Sequence, residues 1–225
     1  MSTTPAMTTS TTSSARVSTT TATTNSSSDP ITDAIREKII DMHNYRRSRL
    51  AQGLVPNGMT GKNCAQGMNL YSMIYDTDLE NEAQQYANSC PLSGSSPESR
   101  TSGENFAAIP SSSATTYYDA VYQAIKEFWR EIKVNADGVN EAMVFTDVLR
   151  YKTLAPLRFT QMAWANTYQV GCGARQCGEN TVVVCRYNPR GNIVGENIYD
   201  VGPTCGECFD ICTTAYLYKG LCPAP

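Results

Sequence analysis

Histidine is nearly absent from this chain: His43 is the only one among 225 residues. A multi-imidazole metal site, or a histidine base beside a serine or cysteine nucleophile, has a single candidate to draw on. Positive charge is scarce as well, with 18 Lys and Arg against 21 Asp and Glu, a net charge of -3 and a pI near 5.2. Nucleic acids and anionic membranes attract clustered Lys and Arg, so this balance argues against both. No apolar run approaches the roughly 18 residues needed to cross a bilayer. The first residues lack the charged start and apolar stretch of a signal peptide, so the chain reads as soluble and already processed.

Cysteine, by contrast, is abundant. Nine of them, at 64, 90, 172, 177, 185, 205, 208, 212 and 222, are too many for a reduced compartment unless a metal holds them, and a secreted, extracellular protein is the simpler expectation. Nine is odd, so at least one thiol is free or joined to another chain. The hydrophobic content of 41% suffices for one domain that buries about 70% of its unfolded surface.

Composition divides the chain at about residue 29. The segment 1–29 is mostly Ser and Thr, lacks aromatic residues, and cannot bury enough apolar surface to offset the entropy of ordering. It reads as a disordered stalk. Ser/Thr tracts with Pro are common O-glycosylation substrates, and Asn25-Ser26-Ser27 is an N-glycosylation sequon; an unmodified tail is the plain alternative.

Beyond it, Thr32 can cap a helix in which Ile35, Ile39, Met42 and Arg46 recur at helical spacing to about Ala51. After a glycine-rich loop, Asp78 can cap a second helix with Leu79, Ala83, Tyr86 and Ala87 on one face, ending at Cys90. A strand is predicted over 103–109 and a third helix over 117–132, where Val121, Ile125, Phe128 and Ile132 share a face. Two further strands are predicted over 168–174 and over 181–187, the second with the β-branched run Val182-Val183-Val184. Helices and strands intermixed in one unit indicate a layered α/β or α+β core. After Gly202 the chain reads as a small cysteine-rich unit of its own.

Two segments carry a resemblance. Arg158-Phe159-Thr160-Gln161-Met162-Ala163-Trp164 and Cys185-Arg186-Tyr187-Asn188-Pro189-Arg190-Gly191-Asn192 resemble the signature stretches of the CAP superfamily. That family includes the cysteine-rich secretory proteins, wasp antigen 5 and the venom-allergen-like proteins of parasitic nematodes, and this chain looks most like the last. The resemblance covers roughly residues 31–200. It implies an α/β fold, a three-layer α-β-α sandwich with helices on both faces of a mainly antiparallel sheet. The implied domains are a stalk at 1–29, a CAP domain at 30–200 and a disulfide-rich, hinge-like extension at 201–225.

Members of this family commonly line a cleft with two histidines and two glutamates, and many bind zinc there. The acids have counterparts here: Glu104 in Gly103-Glu104-Asn105-Phe106, and Glu131 in Phe128-Trp129-Arg130-Glu131-Ile132. The histidines do not. Ser95 stands at one position, in Ser95-Ser96-Pro97-Glu98-Ser99, and Arg158 stands at the other, before Phe-Thr-Gln. Two carboxylates are too few for a usual zinc shell, so no metal and no cofactor are expected. An arginine between the two acids would replace the ion electrostatically. His43 matches a first-helix motif outside this tetrad and reads as a structural histidine satisfied by a polar neighbour.

The resemblance also implies the pairings Cys90 with Cys177, Cys172 with Cys185, Cys205 with Cys212 and Cys208 with Cys222, leaving Cys64 free or linking two chains as monomer or dimer. A four-thiolate zinc site in the tail is the rival reading. Tyr122, Phe128, Trp129, Phe159 and Trp164 could line an aromatic groove, although core packing more often produces such a set. The implied function is a secreted, non-enzymatic protein of a parasitic nematode that acts on a host protein or cell-surface receptor. Carriage of a sterol or fatty acid is the alternative. Paired carboxylates also raise a glycosidase, which needs one acid free to donate a proton.

Overall fold

The computed structural model describes residue 1 and residues 30–225, so the Ser/Thr-rich segment and Asn25 lie outside the described residues. The first helix, α1 (Asp33–Ala51), begins where Thr32 accepts a hydrogen bond from the Ile35 amide, and Ile35, Ile39, Met42 and Leu50 form its buried side. The second, α2 (Thr77–Asn88), is capped by Asp76, whose carboxylate takes the Asp78 and Leu79 amides. Asp78, the expected cap, is instead inside the first turn, where an acid still favours the positive end of the helix dipole. The third, α3 (Tyr117–Val134), buries Val121, Ile125, Phe128 and Ile132 as the period-four pattern implies.

Four strands form one sheet in the order β1-β3-β4-β2, with β1 (Ile74–Tyr75), β2 (Gly103–Pro110), β3 (Gln169–Cys177) and β4 (Asn180–Asn188). β1 pairs parallel with β3, and the other pairings are antiparallel. Because strand side chains alternate, β4 sends Val182 and Val184 against Ala83 and Ala87 of α2. Val183, Cys185 and Tyr187 enter the larger core on the opposite face, with α1 and α3. Two short helices lack enough turns to show a period: α4 (Asp147–Tyr151), which gives Leu149 to that core, and α5 (Leu157–Ala163), which packs on α3 and β2. The result is a three-layer α-β-α sandwich.

The C-terminal residues dock on this body. Leu221 and Cys222 are buried, Cys222 exchanges backbone hydrogen bonds with Leu70 and Ser72, and the Ser48 hydroxyl donates to the Lys219 carbonyl. Arg47 anchors α1 from inside. Its fully buried guanidinium donates to the carbonyls of Tyr71, Met162, Trp164 and Ala165, and burial lowers its pKa to about 9.

α2 comes close to β3 because two glycines face it. A Cβ at Gly171 would lie 2.2 Å from the Glu80 amide nitrogen and 2.4 Å from the Asp76 carbonyl oxygen. Backbone cannot yield as a side-chain tip can. Gly171→Ala is therefore expected to cost about 2–3 kcal/mol, read as a lowered urea midpoint; an unchanged midpoint would refute this account of the α2 contact.

Candidate functional site

The two signature segments meet at the free edge of β2. Gln161 of α5 joins them: its carbonyl oxygen accepts from the Gly191 amide and its amide group donates to the Thr167 hydroxyl. Asn192 donates to the Leu157 carbonyl, and Thr160 donates to the Asn192 side-chain oxygen. Gly103 leaves room for Gln161, whose oxygen would sit 2.2 Å from a Cβ there. These contacts frame a cleft of about 200 Å³ lined by Glu104, Asn105, Arg100, Arg150, Arg158 and Arg190 among others.

The expected tetrad divides between the two faces of the sheet. Glu104 leaves β2 on the α2 side, the side of Phe106, while Glu131 sits on α3 behind the other face. Of the two acids Arg158 pairs with Glu131: its Nε lies 2.6 Å from Oε1, and its own amide and that of Phe159 donate to Oε2. The guanidinium also donates to the Phe106 carbonyl and stacks over the Phe128 ring. It does not stand between the two acids, which corrects the sequence expectation. The reason is register. Glu104 lies directly across from Arg186 on β4, and Arg186 Nη2 is 3.0 Å from Glu104 Oε2. Ser95 supplies Glu104 with two more donors, its amide to Oε1 at 2.7 Å and its hydroxyl to Oε2 at 2.8 Å. Arg186 also stacks on Tyr86, 5.4 Å from the ring centroid, and faces Glu82 at 3.5 Å.

Arg186 and Arg100 are the site residues that sequence reasoning missed. The signal was present, since Arg186 is inside the second signature segment, but its partner follows only from the pairing of β2 with β4.

His43 lies outside the cleft in a chain of buried groups. Ring Nδ1 is 2.7 Å from the Ile39 carbonyl, an acceptor only, so Nδ1 carries the proton and Nε2 accepts from the Tyr187 hydroxyl. Asn105 donates to Tyr187 and to the Arg158 carbonyl. Burial pushes His43 down to about 3, so it is neutral at physiological pH. Of the aromatic set, Phe128, Trp129, Phe159 and Trp164 are buried, and Trp129 meets Phe159 at 4.7 Å. Tyr122 alone is exposed, so these residues form core more than groove.

Disulfides join Cys90 to Cys177, Cys172 to Cys185, Cys205 to Cys212 and Cys208 to Cys222. The first ties the end of α2 to the end of β3 across 87 residues, a closure worth about 4.6 kcal/mol by chain entropy. Sulfurs of Cys205, Cys208 and Cys212 lie within 4.8 Å of one another because two disulfides share this loop. Disulfide sulfurs are not thiolates, so this cluster is no zinc site. Cys64 is a buried free thiol.

With this geometry in place, known proteins bear on the chain. NaASP2, solved with Zn2+, superposes with a TM-score of 0.75 at 30% identity, covering 87% of this chain and 98% of that one. BmVAL-1 superposes with a TM-score of 0.77 at 31% identity, covering 90% and 100%. In sequence, the Ancylostoma secreted protein of Ancylostoma caninum is 34% identical over 199 residues, covering 87% of this chain and 45% of that protein. The chain thus spans about half the length of the first curated relatives it matches. Residues 40–187 match the CAP family, described as the cysteine-rich secretory protein family, and the chain belongs to it.

Two outcomes follow from the charges and the thiol. The Arg186 and Glu104 side chains are 4% and 3% exposed, whereas Arg158 and Glu131 are 35% and 18% exposed. Arg186→Ala strands a buried carboxylate and is expected to cost about 3–5 kcal/mol. Arg158→Ala leaves Glu131 its two amide donors and some solvent, and should cost about 1–2 kcal/mol. Urea unfolding of both variants checks the order, and a costlier Arg158→Ala would contradict it. Burial pushes the Cys64 thiol up to about 12, so it remains protonated at pH 8. It should resist alkylation in the native protein, react after denaturation, and give a monomer band on non-reducing electrophoresis; rapid native labelling would place it at the surface.

Proposed function

We propose that this protein is a secreted, non-catalytic CAP module of a parasitic nematode, acting on a host protein or cell-surface receptor, and that its cleft has lost the zinc centre. One observation carries the reading: both cleft glutamates are committed to protein donors. Glu104 takes Ser95 and Arg186, and Glu131 takes Arg158 and two backbone amides. Zinc needs free lone pairs from several ligands, usually with imidazole among them. Here an alcohol and a guanidinium stand at the histidine positions, and His43 is buried elsewhere. The donor set does not fit the ion, so no chemistry is routed through it. The four disulfides and the kinship with secreted proteins support an extracellular site of action.

The same commitments weigh against hydrolysis. A glycosidase needs one carboxyl free to donate a proton, whereas both glutamates accept from guanidinium groups. A serine nucleophile needs an adjacent imidazole, and the only one is buried against Tyr187 and Ile39. Lipid carriage has one observation behind it, an open groove of about 660 Å³ between α1 and α3 lined by Arg46, Tyr122, Lys126, Trp129, Arg130 and Lys133 among others. Its mainly charged lining suits a fatty acid's carboxylate better than a sterol's rings.

Calorimetric titration of Zn²⁺ into the metal-stripped parent, Glu104→Gln and Ser95→His/Arg158→His proteins tests the cleft. The expected result is no tight site in the parent, with the double variant as the control in which both imidazoles are restored. Tight binding by the parent that Glu104→Gln abolishes would overturn the reading.

A further inference from the structure

The cleft that would hold a cation in a zinc-binding relative is lined here by cations. Four of its thirteen lining residues are arginines, Arg100, Arg150, Arg158 and Arg190, and a single lining residue is acidic. That acid, Glu104, already has Arg186 and Ser95 as partners. The four guanidinium groups come from separate places: the loop before β2, α4, α5 and the loop after β4. They line one concavity from different sides.

Their donors are largely available. Among the described residues, the Arg150 guanidinium makes no hydrogen bond or ion pair and lies over the Tyr151 ring at 5.3 Å. Arg190 donates once, to the Pro97 carbonyl at 3.3 Å. Arg100 gives Nη1 to the Ser102 carbonyl and Nε to Ser95. Its pKa is lowered by burial first and then by the charges of Arg186 and Arg190, although Glu104 pulls the other way. Next in sequence to the lining residue Pro97 is Glu98, an exposed carboxylate held below its ordinary range by the Ser96 hydroxyl, with smaller pulls from Arg150 and Arg190. It occupies part of the field that a ligand's charge would fill. The wall also has a buried acceptor, Asn105 Oδ1, that has no hydrogen-bond partner among the described residues.

We infer that this cleft binds a sulfate or phosphate monoester carried on a sugar-sized group. Guanidinium forks recognise oxyanions bidentately, and a tetrahedral oxyanion offers oxygens in several directions where a planar carboxylate offers two. A cavity of about 200 Å³ admits such a headgroup with little more than one ring behind it. The inference rests on the metal-free reading of the cleft, because an ion held by Glu104 would change its charge and its occupant.

Calorimetry or NMR titration of the full chain tests it, with inorganic sulfate, inorganic phosphate, glucosamine 6-sulfate, glucose 6-phosphate and glucose as probes. Saturable binding of at least one ester is expected, weakening with salt, with glucose at least about tenfold weaker. The sulfate and phosphate arms identify which ester is preferred, and either preference supports the site. Arg150→Gln/Arg190→Gln changes two solvent-accessible side chains and should weaken ester binding by about tenfold or more, whereas Glu98→Gln should strengthen it about two- to threefold. No saturable binding by any anion, or wild-type affinity in the double arginine variant, overturns the inference. The zinc titration separates the two failures. If the parent takes zinc through Glu104, the metal-free reading falls; if it takes neither zinc nor ester, only the anion site falls.

Discussion

A buried carboxylate and a buried guanidinium, facing each other across two antiparallel strands, set the character of this molecule's cleft. Glu104 and Arg186 are register partners on β2 and β4, and neither has access to enough water to stand alone. Pairing is thus obligatory. It draws in the neighbours: Ser95 turns its amide and hydroxyl to the same carboxylate, Arg100 lies 4.0 Å away, and Tyr86 covers the guanidinium. A group held by so many donors is part of the wall.

The second acid has a parallel fate by different means. Glu131 reaches from α3 to the start of α5, where it receives two backbone amides and the Arg158 side chain. It therefore fixes the entry of α5, and with it the position of Gln161, which ties the second signature segment to the first. Both residues that would be ligands in a zinc-binding cleft act here as structural acceptors. What remains facing the cavity is the surplus of positive charge.

Much of this was legible in the sequence, and what was not has a physical cause. Thr32 as a cap, the apolar faces of α1 and α3, and the alternating strands β2 and β4 follow from local chemistry. The cap of α2 was misplaced by two residues because Asp76 and Asp78 are both good capping residues, and only the backbone direction after β1 selects between them. The helices α4 and α5 span five and seven residues, too short for a hydrophobic period to emerge. The substitutions at Ser95 and Arg158 were visible as letters, but not the partner each residue would take. Arg158 was expected between two acids and has one; Arg186 was passed over and holds the other. Cross-strand register decides both, and register is a property of the assembled sheet.

The ties that hold the walls of this cleft are made by the protein's own groups. Arg47 gathers four carbonyls from three loop and helix segments in the interior. The His43, Tyr187 and Asn105 chain runs along one face of the sheet from α1 to the Arg158 carbonyl with neutral groups throughout. Gln161 and Asn192 lock the two signature segments with amide hydrogen bonds that carry no net charge. None of these passes through the cavity's occupant. On the proposed metal-free reading, a cleft supported in this way can change its ligand chemistry, from cation to anion, through a few side chains at its surface while the backbone that presents them stays in place.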